Sequence, residues 1–380
     1  MRDLYRAFQL INLILIIGIV GAQRRYEPDD PLDSQGRGVG ARMAFRGTIR
    51  DYSPFNAQDD ANKLYKAMKG IGTDEKTVID IMTKRSNKQR QEIAKIYQNL
   101  YGQSLKEAIK GDFSGTTEDI LVALLYSPDE YHAKLLNQAL KGAGTDLSEL
   151  TETLCSLTPQ EIEKVKIAYQ KHYKKDLAKT IEGDTSGPVK TLLLNYIKGQ
   201  NVGPRSRQEI DTDAKLLETK GFQNIDGRDG VAEIFTTRSH EDLKKIFAKY
   251  KQNSNKDIVS AINSERVFKL SQAGKLKKVL QHLVQCINNP PEYYAKRVRD
   301  SLKGSGTRNQ KLIRLMVSRS EIDLEDIKEA YQRLFGKTMK NAIDTDVTRK
   351  FEKVLDGIID GNVKLYKTHQ NLNRKLSIIP

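Results

Sequence analysis

From residue 57 onward, apolar positions recur with a helical period. Ala61, Leu64, Tyr65 and Met68 fall at i, i+3, i+4 and i+7, one face of a helix that stops at Gly70. Beyond the hexapeptide KGIGTD at 69–74, Val78, Ile79, Ile81 and Met82 begin a second helix. Thr73 is its expected cap, with Asp74 and Glu75 in the first turn, where the positive helix end favours acids. Residues 93–100, 105–109 and 118–125 predict three further helices, punctuated by Gly102 and the Ser114-Gly115 pair. No convincing strand pattern occurs.

The hexapeptide returns as KGAGTD at 141–146 and KGSGTR at 303–308. Gly70 and Gly142 are 72 residues apart, and Gly142 and Gly304 are 162 apart, twice 81. A copy is therefore expected with Gln223 and Ile225 where the glycines should be. Arg85, Leu157, Arg238 and Arg319 follow the same spacings of 72, 81 and 81, and so do Asp112, Asp184, Glu265 and Asp346. Four repeats of five helices follow, an all-α fold. The expected boundaries are a leader at 23–52, repeats at 53–126, 127–198, 208–288 and 289–361, a linker at 199–207 and a tail at 362–380.

Composition adds two points. The chain of 380 residues is 38% hydrophobic and 30% charged, as a soluble globular protein would be. A net charge of +15 predicts attraction to anionic surfaces without choosing among membranes, nucleic acids and sulfated glycans. The first 22 residues stand apart. Arg2 and Arg6 precede an 11-residue apolar run at 10–20, then Val20-Gly21-Ala22. That run is too short to span ~30 Å of hydrocarbon as a helix. It predicts a cleaved secretory signal cut after Ala22, hence a secreted protein, with an uncleaved anchor as the alternative. Cys155 and Cys286 make no disulfide framework; one bridge is open to them, but two buried thiols are the expectation.

The glycine loops fit neither a phosphate-binding loop nor a dinucleotide fingerprint, both of which need other spacings and a preceding strand. Taken singly, each would be a helix stop. Their pairing with an acid changes that: Gly70 and Asp112, Gly142 and Asp184, and Gly304 and Asp346 are each 42 residues apart. Calcium takes six to eight hard oxygens, mixing main-chain carbonyls, carboxylate and water. Glycines let a loop curl so that alternate carbonyls converge, and a distant carboxylate closes the site. A site with one carboxylate leaves positions that a phosphate oxygen can fill, coupling ion binding to an anionic surface.

The KGxGT loops, together with GDFSG at 111–115 and GDTSG at 183–187, resemble the annexin core over residues 46–361, with RGTI at 46–49 as its lead-in. The resemblance implies a slightly curved disk of four five-helix domains that docks its convex face on acidic phospholipids of the phosphatidylserine type when calcium is present. It implies calcium ligands at Met68, Gly70, Gly72 and Asp112; at Leu140, Gly142, Gly144 and Asp184; and at Leu302, Gly304, Gly306 and Asp346. Repeat 3 has lost both glycines, and no such site is expected there. In repeat 4, Arg308 replaces the loop aspartate and Arg349 the acid-loop glycine. A signal peptide is unusual for this family and implies a dedicated exported member, peripheral on membranes.

Five scattered histidines lack metal-ligand spacing, and no nucleophile–base pattern suggests an enzyme. Nucleic-acid binding would rest on charge alone, without a recognisable module, and is not expected. The Lys-Gly-Asp at 110–112 resembles an adhesion tripeptide whose aspartate is already assigned to calcium. The basic runs at 244–245 and 275–278 are read as solvated helix faces. The competing function is a secreted interaction protein that uses the core as a scaffold, its leader recruiting a protein partner.

Overall fold

A computed structural model describes residues 46–142, 144–198, 204–222, 230–264, 271–303 and 308–362. The expected signal sequence, Gln223, Ile225, Glu265, Gly304, Gly306 and most of the tail lie outside the described residues. Twenty helices run in chain order, with no strand among the described residues. Repeat 1 holds α1 (Ala57–Met68), α2 (Glu75–Lys84), α3 (Asn87–Tyr101), α4 (Leu105–Asp112) and α5 (Gly115–Ala123). Repeat 2 holds α6 (Pro128–Leu140), α7 (Leu147–Leu154), α8 (Pro159–Tyr173), α9 (Leu177–Asp184) and α10 (Gly187–Ile197). Repeat 3 holds α11 (Arg207–Lys220), α12 (Val231–Thr237), α13 (His240–Ser254), α14 (Ile258–Ser264) and α15 (Ser271–Asn288). Repeat 4 holds α16 (Pro290–Ser301), α17 (Arg308–Arg319), α18 (Leu324–Phe335), α19 (Met339–Asp344) and α20 (Arg349–Asp360).

Local chemistry explains the breaks. Ser86, Ser104, Ser127, Thr158 and Ser206 each cap a helix whose third residue, Gln or Glu, bonds back to the cap, so two orphan donors are satisfied at once. The α2 cap is Asp74, not Thr73, because its carboxylate accepts the Thr77 amide. That releases Thr73 for another contact. The predicted apolar face is buried: Ala61, Leu64, Val78 and Met82 have essentially no exposure.

In each repeat the first and third helices pack together, α1 on α3, α6 on α8, α11 on α13 and α16 on α18. Repeats join in pairs. The last helix of repeat 4, α20, lies on α2, and α17 lies on α5. Likewise α15 of repeat 3 lies on α7 of repeat 2, and α10 lies on α12. Cys155 and Cys286 correct the expectation of free thiols, since they form a disulfide joining the end of α7 to the end of α15. Their sequence separation of 131 hid a neighbourhood that helix packing creates.

Between the pairs, Glu152 of α7 is buried with Arg314 of α17, whose Nε donates to it at 3.0 Å, and with Arg297 of α16. Burial opposes its charge, but the two guanidinium groups outweigh that and hold the Glu152 carboxyl below its usual range. The lead-in at 46–50 packs on repeat 4. Arg46 pairs with Asp326 and Glu329, and the Thr48 hydroxyl donates to the Ile358 carbonyl at 2.6 Å. Gly47 is required there, because a Cβ would sit 2.5 Å from the Glu321 main chain.

Candidate metal centre

In repeat 1 the loop begins where α1 stops. Gly70 and Gly72 have φ of 104° and 88°, a region that side-chain-bearing residues rarely adopt. The Asp74 amide closes the loop by donating to the Ala67 carbonyl at 2.9 Å, and the Glu75 amide donates to Thr73. Repeat 2 does the same: Gly142 and Gly144 have positive φ, Asp146 donates to Ala139 at 2.9 Å and Leu147 donates to Thr145. No main-chain turn or cap bond among the described residues ends on the carbonyls of Met68, Gly70, Gly72, Leu140, Gly142 or Gly144. The four glycines are exposed, while Met68 and Leu140 are buried at their helix ends; main-chain carbonyls are the donor type that suits calcium.

The acids lie beside these loops. Asp112 and Asp184 are the last residues of α4 and α9, and both are exposed. The Thr73 hydroxyl donates to Asp112 Oδ2 at 2.9 Å, and the Thr145 hydroxyl donates to the Asp184 carbonyl at 2.9 Å. Sequence reasoning cast Thr73 as a cap and missed this tie; its recurrence in each GT pair was the available signal. Both acid turns continue into a glycine with left-handed φ, Gly115 at 62° and Gly187 at 57°, preceded by an extended serine at φ −142° and −144°. A cleft of about 340 Å³ opens between the two loops of repeat 2, lined by Leu140, Gly142, Gly144, Thr145 and Asp184 among others. The structure thus sets the acid turn against the glycine loop in repeats 1 and 2, and in repeat 2 Leu140, Gly142, Gly144 and Asp184 line one cleft.

Repeat 4 differs. Its acid is not helical: α19 ends at Asp344, and the Asp346 amide donates to Ile343 in a turn. Arg349 stands where Gly115 and Gly187 stand, and the preceding Thr348 has φ −71°. An arginine cannot take the left-handed conformation cheaply, so the turn is built another way. Leu302 caps α16, and its partners Gly304 and Gly306 are outside the described residues. Close by, Asp344, Glu352 and Asp356 bring one oxygen each within 4.8 Å of one another, with the Lys340 ammonium 3.0 Å from Asp356.

The loop tip of repeat 1 carries Ile71, fully exposed between its glycines. Three other large apolar side chains among the described residues are exposed to a lesser degree, Leu100, Ile167 and Ile322.

A four-repeat helical protein with paired glycine and acid loops is the class that fold and site define. A family model described as Annexin matches residues 59–124, 131–196, 214–267 and 293–358. The chain is 40% identical to Annexin A3 of Homo sapiens over 324 residues, 84% of this chain and 98% of that one. Its structure is similar to that of annexin III, with a TM-score of 0.77 at 39% identity, covering 84% of this chain and 99% of the other. It is similar also to calcium-bound annexin (Sm)1, with a TM-score of 0.75 at 28% identity over 83% of this chain and 93% of that one. The chain belongs to the annexin family.

Proposed function

We propose that this protein binds acidic phospholipid surfaces through calcium held in repeats 1 and 2, with a weaker contribution from repeat 4. The observation that carries the reading is made twice: a loop bent by two positive-φ glycines lies beside an exposed acid turn and is tied to it by a threonine. Met68, Gly70, Gly72 and Asp112 would hold one ion, and Leu140, Gly142, Gly144 and Asp184 a second. Leu302, Gly304, Gly306 and Asp346 would hold a third. Calcium held there would supply a hard cation able to attract an anionic oxygen of a headgroup. One carboxylate against a divalent ion leaves each site net positive, which favours an anionic headgroup over a neutral one. Ile71 offers an apolar tip to the same interface. The similar annexin (Sm)1 has been seen calcium-bound, and annexins in general are non-enzymatic binding proteins.

We infer export as well. The apolar run at 10–20 supports it, and so does the Cys155–Cys286 disulfide, a bond that persists in oxidising compartments. N-terminal sequencing of secreted material is expected to start at Gln23.

Co-sedimentation with phosphatidylserine vesicles tests the main reading. Binding is expected to rise with calcium and to be released by a chelator; binding that survives chelation rejects it. Asp112→Ala combined with Asp184→Ala is expected to raise the calcium needed at least about tenfold, as ligand charge is lost.

A further inference from the structure

The cleft at the repeat 2 loops has one lining residue from outside repeat 2 among the described residues. It is Lys275, in the first turns of α15 of repeat 3. Its side chain is exposed, and no hydrogen bond or ion pair engages its ammonium among the described residues. The neighbouring Lys277 is already committed, donating to the Asn263 carbonyl at 3.0 Å.

The placement of Lys275 follows from the packing of two helices. α15 runs beside α7, and the Cys155–Cys286 bond locks their C-terminal ends. Eleven residues separate Lys275 from Cys286, about 16 Å of helix. At the other end of α7, Leu147 lines the same cleft as Lys275. The two helices therefore run parallel, fastened at one end and open on the site at the other.

The other repeat pair has the same construction with a different outcome. There α20 packs on α2, and Lys350 in its first turn meets Glu75 at 2.7 Å. The repeat 2 residue 72 positions after Glu75 is Leu147, which has no charge. Lys350 is thus neutralised beside the first site, whereas Lys275, six residues further along the chain than the register counterpart of Lys350, faces no acid at position 147.

We propose that Lys275 is a headgroup-binding residue of the repeat 2 site, donating to an anionic oxygen of the ligand that bridges calcium there. The proposal rests on the calcium–phospholipid reading and gives repeat 3 a part in it. An ammonium in this cleft repels a bare divalent ion and attracts one that arrives with a partner carrying two anionic groups. The shared chemistry is a phosphodiester carrying a second anionic group. Packed in a membrane it is phosphatidylserine; free in solution it is glycerophosphoserine.

The test uses the full chain carrying Lys275→Gln, with Lys171→Gln on α8 as an equal loss of charge elsewhere and Lys275→Arg as the conservative variant. Three quantities are measured: the calcium needed for half-maximal binding to phosphatidylserine vesicles, calorimetric affinity for glycerophosphoserine at fixed calcium, and calcium affinity without either. Lys275→Gln is expected to weaken both headgroup measurements about fivefold, the weight of one lysine at an anionic surface. Calcium affinity alone should be unchanged or slightly higher, Lys171→Gln should have a lesser effect, and Lys275→Arg should retain binding. Loss on vesicles with glycerophosphoserine affinity intact would mean general surface charge and overturn the proposal. So would equal losses in Lys275→Gln and Lys171→Gln. If Asp112→Ala with Asp184→Ala leaves vesicle binding intact, the calcium reading itself fails. If that double variant loses binding and Lys275→Gln does not, only the role of Lys275 fails.

Discussion

Repeats 2 and 4 have diverged in opposite places. Repeat 2 keeps the glycine loop and the left-handed Gly187 of its acid turn, yet has lost the arginine that repeats 1 and 3 bury against an aspartate. In those two repeats Arg85 grips Asp60 and Arg238 grips Asp213, each through two nitrogens. At the matching positions repeat 2 has Leu157 and His132, both buried. Repeat 4 keeps its arginine but has rebuilt the acid turn around Arg349. Its Arg319 turns to Asp323, at 2.8 and 2.7 Å, and lies over the Tyr294 ring at 4.3 Å. The scaffold and the metal loops are therefore independent inheritances of one repeat, and either can be lost alone.

The largest test removes the scaffold device of repeat 4. Arg319→Leu copies repeat 2 but leaves Asp323, which has no exposure, without its partner. It is expected to cost about 3–5 kcal/mol in urea unfolding. A cost below 1 kcal/mol would mean that leucine at this position needs no compensating change at the acid.

Next comes the histidine of repeat 2. Burial, with help from Arg319, pushes His132 down to about 4 from an ordinary 6.5. The unfolded chain therefore takes up a proton between pH 6.5 and 4 that the native chain refuses, so stability falls as pH falls through that window. Between pH 7.5 and 5 the loss from His132 is expected to be about 2 kcal/mol. His240 and His282, also pushed to about 4 by burial, act in the same direction. His132→Phe should flatten the slope measured by denaturant titration at several pH values.

Third, the metal loops themselves can be compared. Asp184→Ala is expected to raise the calcium needed for vesicle binding about tenfold, and Asp346→Ala only about twofold, since Asp184 is held at a helix end and Asp346 lies two residues beyond one. Equal effects would erase the distinction drawn between the two turns. The smallest effect is a gain. Arg349→Gly returns the glycine to the repeat 4 turn and should lower the calcium requirement about twofold, read in the same titration.

Much of this was legible in the chain. Periodicity located the buried faces of α1 and α2, since a packed helix must hide one side, and three recurring markers fixed the repeats. The pairing of a glycine loop with an acid in repeats 1 and 2 was legible in their 42-residue spacing, while the full ligand sets came from the family resemblance. What sequence could not supply lies between repeats. Cys155 meets Cys286 only because α15 packs on α7, and Lys275 reaches the repeat 2 site for the same reason. A basic run read as a solvated face proved to have one member in a cleft. The change at Asp346 was half visible: Arg349 signalled a lost glycine, but not that the helix would stop two residues short of the acid.

The lead-in that packs on repeat 4 also fixes where the core begins and ends. The Asn362 amide donates to the Thr48 carbonyl at 3.1 Å, and its side chain accepts from the Arg50 amide at 2.9 Å. The core is thus entered and left at one spot. A group fused before Arg46 and another fused after Asn362 would be tethered side by side, each meeting the other at the millimolar effective concentration of a short linker. For the same reason the ends could be joined by a short bridge and new ones opened in the linker at 199–207, leaving the order of the four repeats around the molecule unchanged.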